Sequence, residues 1–142
     1  MNGTKTVLNA VHKGTQMGLR SLDNIMDTVE DAKMRAHLRE EHAQYAEIHK
    51  RAAALLAQQE EKPDSIGPMA KMASDMSAKM NTLIDKTSSH IAEMMMQGNM
   101  MGVIEITKTM KNNPDADAGA LKLAQDLLQT QENNIRKLKQ FL

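Results

Sequence analysis

The chain has no cysteine and no tryptophan, and it carries one tyrosine, one phenylalanine and three prolines in 142 residues. Without cysteine there is no disulfide, no thiolate nucleophile and no cysteine-held metal cluster. With only Tyr45 and Phe141 as aromatic residues, it lacks the stacking platforms on which single-stranded nucleic acid is bound. Lys plus Arg and Asp plus Glu are equal at 18 each, so no basic excess draws a polyanion either. No apolar run comes near the roughly 18 residues a membrane span needs, and the opening MNGTKTVLNAVHKG has no hydrophobic signal core. The expectation is a cytoplasmic protein with no nucleic-acid or membrane partner. Neither a glycine-rich phosphate loop nor a Ser-His-Asp arrangement is present.

Methionine is what the chain has in excess, with 14 residues. Its flexible thioether fills irregular gaps, and at helical spacing it reads first as core filler. Two other uses of the same residues are copper(I) storage and a Met-lined interior that carries a small apolar ligand. The length suits one domain, 1–142, able to bury a core without metal or disulfide.

Leu8, Val11, Thr15, Gly18, Leu22, Ile25 and Val29 alternate at intervals of three and four, which predicts an amphipathic helix over about 4–29. Thr28-Val29-Glu30-Asp31 resembles a capping box and predicts a short turn into a second helix over 31–59. That helix carries Met34, Leu38, Glu41, Tyr45, Ile48, Ala52 and Leu55 on its seam. Glu60 to Gly67 is loop-like, and Pro68 opens a Met69-Met72-Met76-Met80-Leu83 stripe. A helix unbroken from Pro68 to Lys111 would run ~66 Å against ~39 Å for the first, so a bend is expected near Asp85-Lys86-Thr87-Ser88. This leaves a crossover helix over 68–84 and a third long helix over 88–112. Asn112-Asn113-Pro114-Asp115 separates it from a fourth helix over 115–141, with Leu121, Ala124, Leu128, Gln131, Ile135, Leu138 and Leu142 on its seam.

In the third helix, Ile91, Met94, Met95, Gly98, Met101, Gly102 and Glu105 share one face at about 100° per residue, and Met96, Met100 and Val103 lie nearly opposite. The first set is expected to face the core. The second would then need another cover: a second copy of the chain, which makes Met96, Met100 and Val103 candidates for a homodimer interface on a two-fold axis, or the crossover segment from Met69 to Met80. Gly14-Thr15-Gln16-Met17-Gly18 is repeated as Gly98-Asn99-Met100-Met101-Gly102, so the two halves read as related helical hairpins.

Four long helices with a long link between the second and third resemble the ferritin-like four-helix bundles. That family places a Glu on each of two helices and a Glu-x-x-His on each of the other two to hold a pair of metal ions. The corresponding residues here are Glu41-x-x-Gln44, Gln131-x-x-Asn134, Ser21 and Glu105. Amides bring no negative charge and bind transition metals poorly. The resemblance therefore implies a degenerate di-metal site, with a hydrogen-bonded polar layer expected in place of a working iron centre. The segment Met96 to Ile106, with Leu123-Ala124-Gln125 and Gln131 to Leu142, is also similar to a bacterial family of unknown function with a Met-x-x-His-His-x-Gly-Ala-Ile-x-Met motif. Its members are often exported and are proposed to bind copper. Asn99 and Met100 stand where that motif has its His pair.

His12, His37, His42, His49 and His90 are expected on flanking, solvated positions, and His90 with Met94 one turn on is the soft-metal pair to watch. These observations lead to a non-enzymatic, self-associating helical bundle with no resident cofactor. Metal binding, whether iron at residual carboxylates or copper(I) at Met-rich positions, and small-ligand carriage are the alternatives.

Overall fold

Apolar residues at intervals of three and four need a second surface to cover them. The computed structural model, which describes residues 3–59 and 85–142, supplies it with four helices: α1 Thr4–Met26, α2 Ala32–Gln58, α3 Ser88–Asn112 and α4 Ala118–Leu138. A 3-10 turn, Lys139–Phe141, follows α4. The protein is all-α, with no strand among the described residues. The crossover expected over 68–84 lies outside them.

The helix ends differ by a few residues from the sequence expectation, for identifiable reasons. Thr28 does not start α2; its hydroxyl donates to the Ile25 carbonyl at 2.7 Å and closes α1. Val29 then drops into the core, and Arg35 holds its carbonyl at 2.6 Å. Asp31 is the N-cap of α2, its carboxylate accepting from the Met34 amide at 2.7 Å. Asn113 donates to the Thr109 carbonyl at the end of α3, and the Ala116 amide donates back to Asn113, which delays α4 to Ala118. At the expected bend, residues 85–87 are non-helical and the Thr87 hydroxyl caps α3 by accepting from the His90 amide.

Cross-helix pairs give the directions. Thr15 meets His49 and Asp23 meets His42, so α1 and α2 are antiparallel. Arg51 with Asp126, Gln44 with Asn134 and Glu40 with Lys137 make α2 and α4 antiparallel. Thr4 accepts from the Asp117 amide and Gly14 faces Leu127, so α1 and α4 run parallel. The short link from Asn113 to Asp117 and the meeting of Gly102 with Gln131 fold α3 back along α4. It follows that α2 and α3 point the same way.

The core is built mainly of Leu, Ile, Val and Ala. Met34 and Met95 are the buried methionines among the described residues, Met34 fully so. Each Leu or Ile so buried is worth ~1.5–3 kcal/mol relative to exposure. The seams of α1 and α2 are as expected, except that Leu56 rather than Leu55 fills the last core position. In α4 the core positions are Ala120, Leu123, Ala124, Leu127, Gln131, Asn134 and Leu138, a partial rotation from the expected stripe. In α3 the rotation changes the assignment: Ile91, Ala92, Met95, Asn99 and Ile106 are buried, whereas Gly98, Met101 and Glu105 are exposed.

Candidate functional site

The apolar seams of α2, α3 and α4 are interrupted at one level by polar residues, and these find each other across the core. Glu41, on α2, is fully buried. One turn earlier on the same face, His37 donates from Nε2 to Glu41 Oε2 at 2.7 Å. From α3, the Asn99 amide donates to Glu41 Oε1 at 3.1 Å and to the Met95 carbonyl at 3.0 Å. The Tyr45 hydroxyl donates to Asn99 Oδ1. Burial pushes the Tyr45 phenol well above its ordinary range and the Glu41 carboxylate adds to this, while a hydrogen bond with Gln131 of α4 opposes it. A chain of hydrogen bonds thus runs Gln131, Tyr45, Asn99, Glu41, His37 across three helices. Beside it Asn134 donates to Gln44 Oε1 at 3.1 Å.

Glycine makes the layer possible. A Cβ on Gly18 would stand 3.0 Å from Tyr45 Cε2, and one on Gly102 would overlap the Gln131 amide. These are the closing glycines of the two Gly-x-x-Met-Gly repeats, so the repeat marks the level at which α1 and α3 make room for polar side chains.

The candidate site residues fall into two groups. Glu41, Gln44, Gln131 and Asn134 lie at this level, and Ser21 is half-buried on α1. Glu105 is exposed and takes no part, which corrects its assignment to the inner layer. Asn99, expected only as a substitute within a histidine motif, fills the inward position on α3. His37 and His12 are buried, contrary to the expectation of solvated histidines. The rings of His12 and His49 stack with centroids 4.1 Å apart. His49 Nδ1 lies 3.2 Å from the His12 carbonyl, which can only accept, so that nitrogen carries the proton; it also contacts the Thr15 hydroxyl at 2.9 Å. His42 is a surface partner of Asp23 at 2.9 Å. His90 and Met94 are both half-buried on α3.

The donor set does not fit a di-metal centre. Glu41 is the one carboxylate in the layer, and both its oxygens already accept hydrogen bonds. The neighbouring amides carry no charge to offset two cations. Among the described residues, no three His, Asp or Glu side chains converge as a metal-binding group. Two acceptors, Gln131 Oε1 and Asn134 Oδ1, are buried without a hydrogen-bond partner among the described residues, at a cost of ~1–3 kcal/mol each if left so. A surface groove of about 400 Å³ between α2 and α4 is lined by Ala43, Gln44, Glu47, Ile48, Arg51, Asp126 and Thr130, which turn mostly apolar atoms toward it.

No helix among the described residues is long and apolar enough to cross a membrane. No family model, curated protein or solved structure matches the chain.

Proposed function

We propose that this chain is a non-enzymatic, self-associating bundle of ferritin-like topology, working in the cytoplasm, in which a hydrogen-bonded polar layer occupies the place of a di-metal centre. The observation that carries this reading is the engagement of both Glu41 oxygens by His37 and Asn99 in a fully buried position. A carboxylate held by a hydrogen bond on each oxygen, with no second carboxylate in the layer, is a poor ligand for a pair of cations. The topology is supported by the shared direction of α2 and α3, which leaves residues 59 and 85 at opposite ends of the bundle and calls for a long connection between them. The helical crossover over 68–84 belongs to this proposal.

The test is incubation with ferrous iron in air, together with elemental analysis of protein purified without a metal-affinity tag. Iron oxidation is expected to stay at the buffer rate, with no stoichiometric metal. Uptake of a pair of irons per chain with rapid oxidation would overturn the reading.

A second reading, soft-metal binding, draws on one observation. His90 Nε2 is buried without a hydrogen-bond partner among the described residues, one turn from Met94. On that reading copper(I) binds in competition with a chelator and the binding is lost in His90→Ala.

A further inference from the structure

The outward face of α3 carries the largest exposed apolar side chains of the four helices: Met101 is 70% exposed, Ile104 50% and Met100 46%. This differs from the sequence expectation, because Met96 and Val103 are half-buried and only Met100 of the three interface candidates is truly open. The three side chains form an island on successive turns of one face. The charges around it are arranged with polarity: Glu93 lies toward the N-terminal end, Lys108 and Lys111 toward the C-terminal end, and all three are exposed. Gln97 and Glu105, also exposed, stand four residues to either side of Met101.

Gly98 supplies a second observation. A Cβ there would meet nothing within 4 Å, unlike Gly102, whose Cβ would strike Gln131. Packing among the described residues therefore gives no reason for glycine at 98, in the middle of a helix that glycine weakens. It leaves a notch one turn before Met101, where a second backbone can come close.

We propose that α3 pairs with α3 of a second copy of this chain, antiparallel, about a two-fold axis at Met101. In that arrangement Met101 meets its own copy, Ile104 of each chain comes beside Gly98 of the other, and Met100 comes beside Gly102. Glu93 of each chain comes beside the Lys108–Lys111 turn of the other, and Glu105 comes beside Gln97. A parallel pair would set Glu93 against Glu93 and Lys108 against Lys108, which like-charge repulsion disfavours. Isologous two-fold contacts are the commonest in homo-oligomers, and a self-complementary face is what they require. The inference rests on the reading of the chain as self-associating and assigns the surface and its direction.

Because the chain has no cysteine, single cysteine variants of the full chain report the geometry directly. Met101→Cys at the axis is expected to give a covalent dimer on mild oxidation. Glu93→Cys is expected not to, since the two copies of residue 93 would lie ~24 Å apart along the helices, against a limit of about 7 Å for a disulfide. Sedimentation of the unmodified chain is expected to show a dimer. Met101→Lys should raise its dissociation constant on the order of tenfold or more while helicity is retained. Glu93→Lys should weaken the dimer, and adding Lys108→Glu and Lys111→Glu should restore it. If Glu93→Cys cross-links as readily as Met101→Cys, or if Met101→Lys dimerises as the unmodified chain does, this inference fails while self-association stands. A chain monomeric at high micromolar concentration removes both.

Discussion

The ring of Tyr45 lies where the side chain of residue 18 would be: a Cβ on Gly18 would approach Tyr45 Cε2 to 3.0 Å. The same relation holds between Gly102 and the Gln131 amide, so both repeats give up a side chain to the polar layer. Alanine in a helix interior is worth ~1 kcal/mol over glycine, whereas overpacking a core costs ~1–3 kcal/mol. Gly18→Ala is therefore expected to lower stability by on the order of 1 kcal/mol net, because the buried Tyr45 ring cannot swing aside. Gly102→Ala should also destabilise, by forcing Gln131 away from Tyr45. Gly98→Ala, which meets open space among the described residues, should gain up to ~1 kcal/mol in the monomer. Urea unfolding at low protein concentration separates the three, and a stabilising Gly18→Ala would show that the Tyr45 ring is not fixed.

Asn99 and Glu105 give a second contrast on α3. Asn99 is buried and bonds to both Glu41 and Tyr45, so Asn99→Ala leaves a carboxylate and a phenol without their partner. Each loss is worth ~1–3 kcal/mol, and a total of about 2–4 kcal/mol is expected. Glu105→Ala and Glu105→Leu change an exposed position and should both stay within ~0.5 kcal/mol. A large cost for Glu105→Ala would mean that the helix is rotated from the position described.

The same contrast shows why part of this architecture is legible in the sequence and part is not. On α1 and α2 the core positions are held mainly by Leu, Ile, Val and Tyr at three-four spacing, with polar residues between them, so one phase stands out. On α3 methionine occurs all the way round. The innermost polar position is Asn99, flanked by a glycine and by exposed methionines. A period count takes Asn99 for surface and the nearest Glu for the layer, which rotates the helix and moves Gly98, Met101 and Glu105 inward in error. The His37-x-x-x-Glu41 spacing was readable as a same-face pair. Glu41 is legible as inward because it lies on the α2 seam; the burial of His37 is not, because a histidine beside the exposed Arg39 and Glu40 reads equally well as solvated. Glu41, Gln44, Gln131 and Asn134 are legible at the right level because they lie on helices whose phase the apolar pattern gives closely.

The charged pairs between α2 and α4 predict an acid-side loss of stability. A hydrogen bond from Lys137 holds the Glu40 carboxyl below its ordinary range, and the charges of Lys137 and His37 add to it. Asp126 is lowered chiefly by its hydrogen bond from Lys122, with Arg51 contributing from α2. Depressed carboxylates stabilise the fold above their unfolded pKa, and this contribution disappears as the pH falls through the folded value. Both pairs are on the surface, so each is worth under ~1 kcal/mol. The melting temperature is expected to fall modestly below the ordinary carboxylate range and to fall less in high salt. Lys137→Met should flatten part of the slope, and an unchanged slope in that variant would assign the acid sensitivity to other groups.

Tyr45 gives the opposite limb and the most direct view of the layer, because it is the only tyrosine and there is no tryptophan. Its phenol is raised above the ordinary value of 10.0, first by burial and then by the Glu41 carboxylate, with the Gln131 hydrogen bond working against both. A raised folded pKa means that the native state holds the proton more tightly than the unfolded chain. Stability from this source is complete below the ordinary value and is lost as the pH rises toward the folded one. The native bundle should therefore show no phenolate absorbance at pH 10.0, where a free tyrosine is half-ionised. Phenolate should appear only as the helical circular dichroism collapses, with the two signals following one curve. Asn99→Ala, which removes the acceptor of the Tyr45 hydroxyl, should shift that joint transition to lower pH. A phenolate signal centred on the ordinary value while the helices remain intact would show that water reaches Tyr45 and that the polar layer is open.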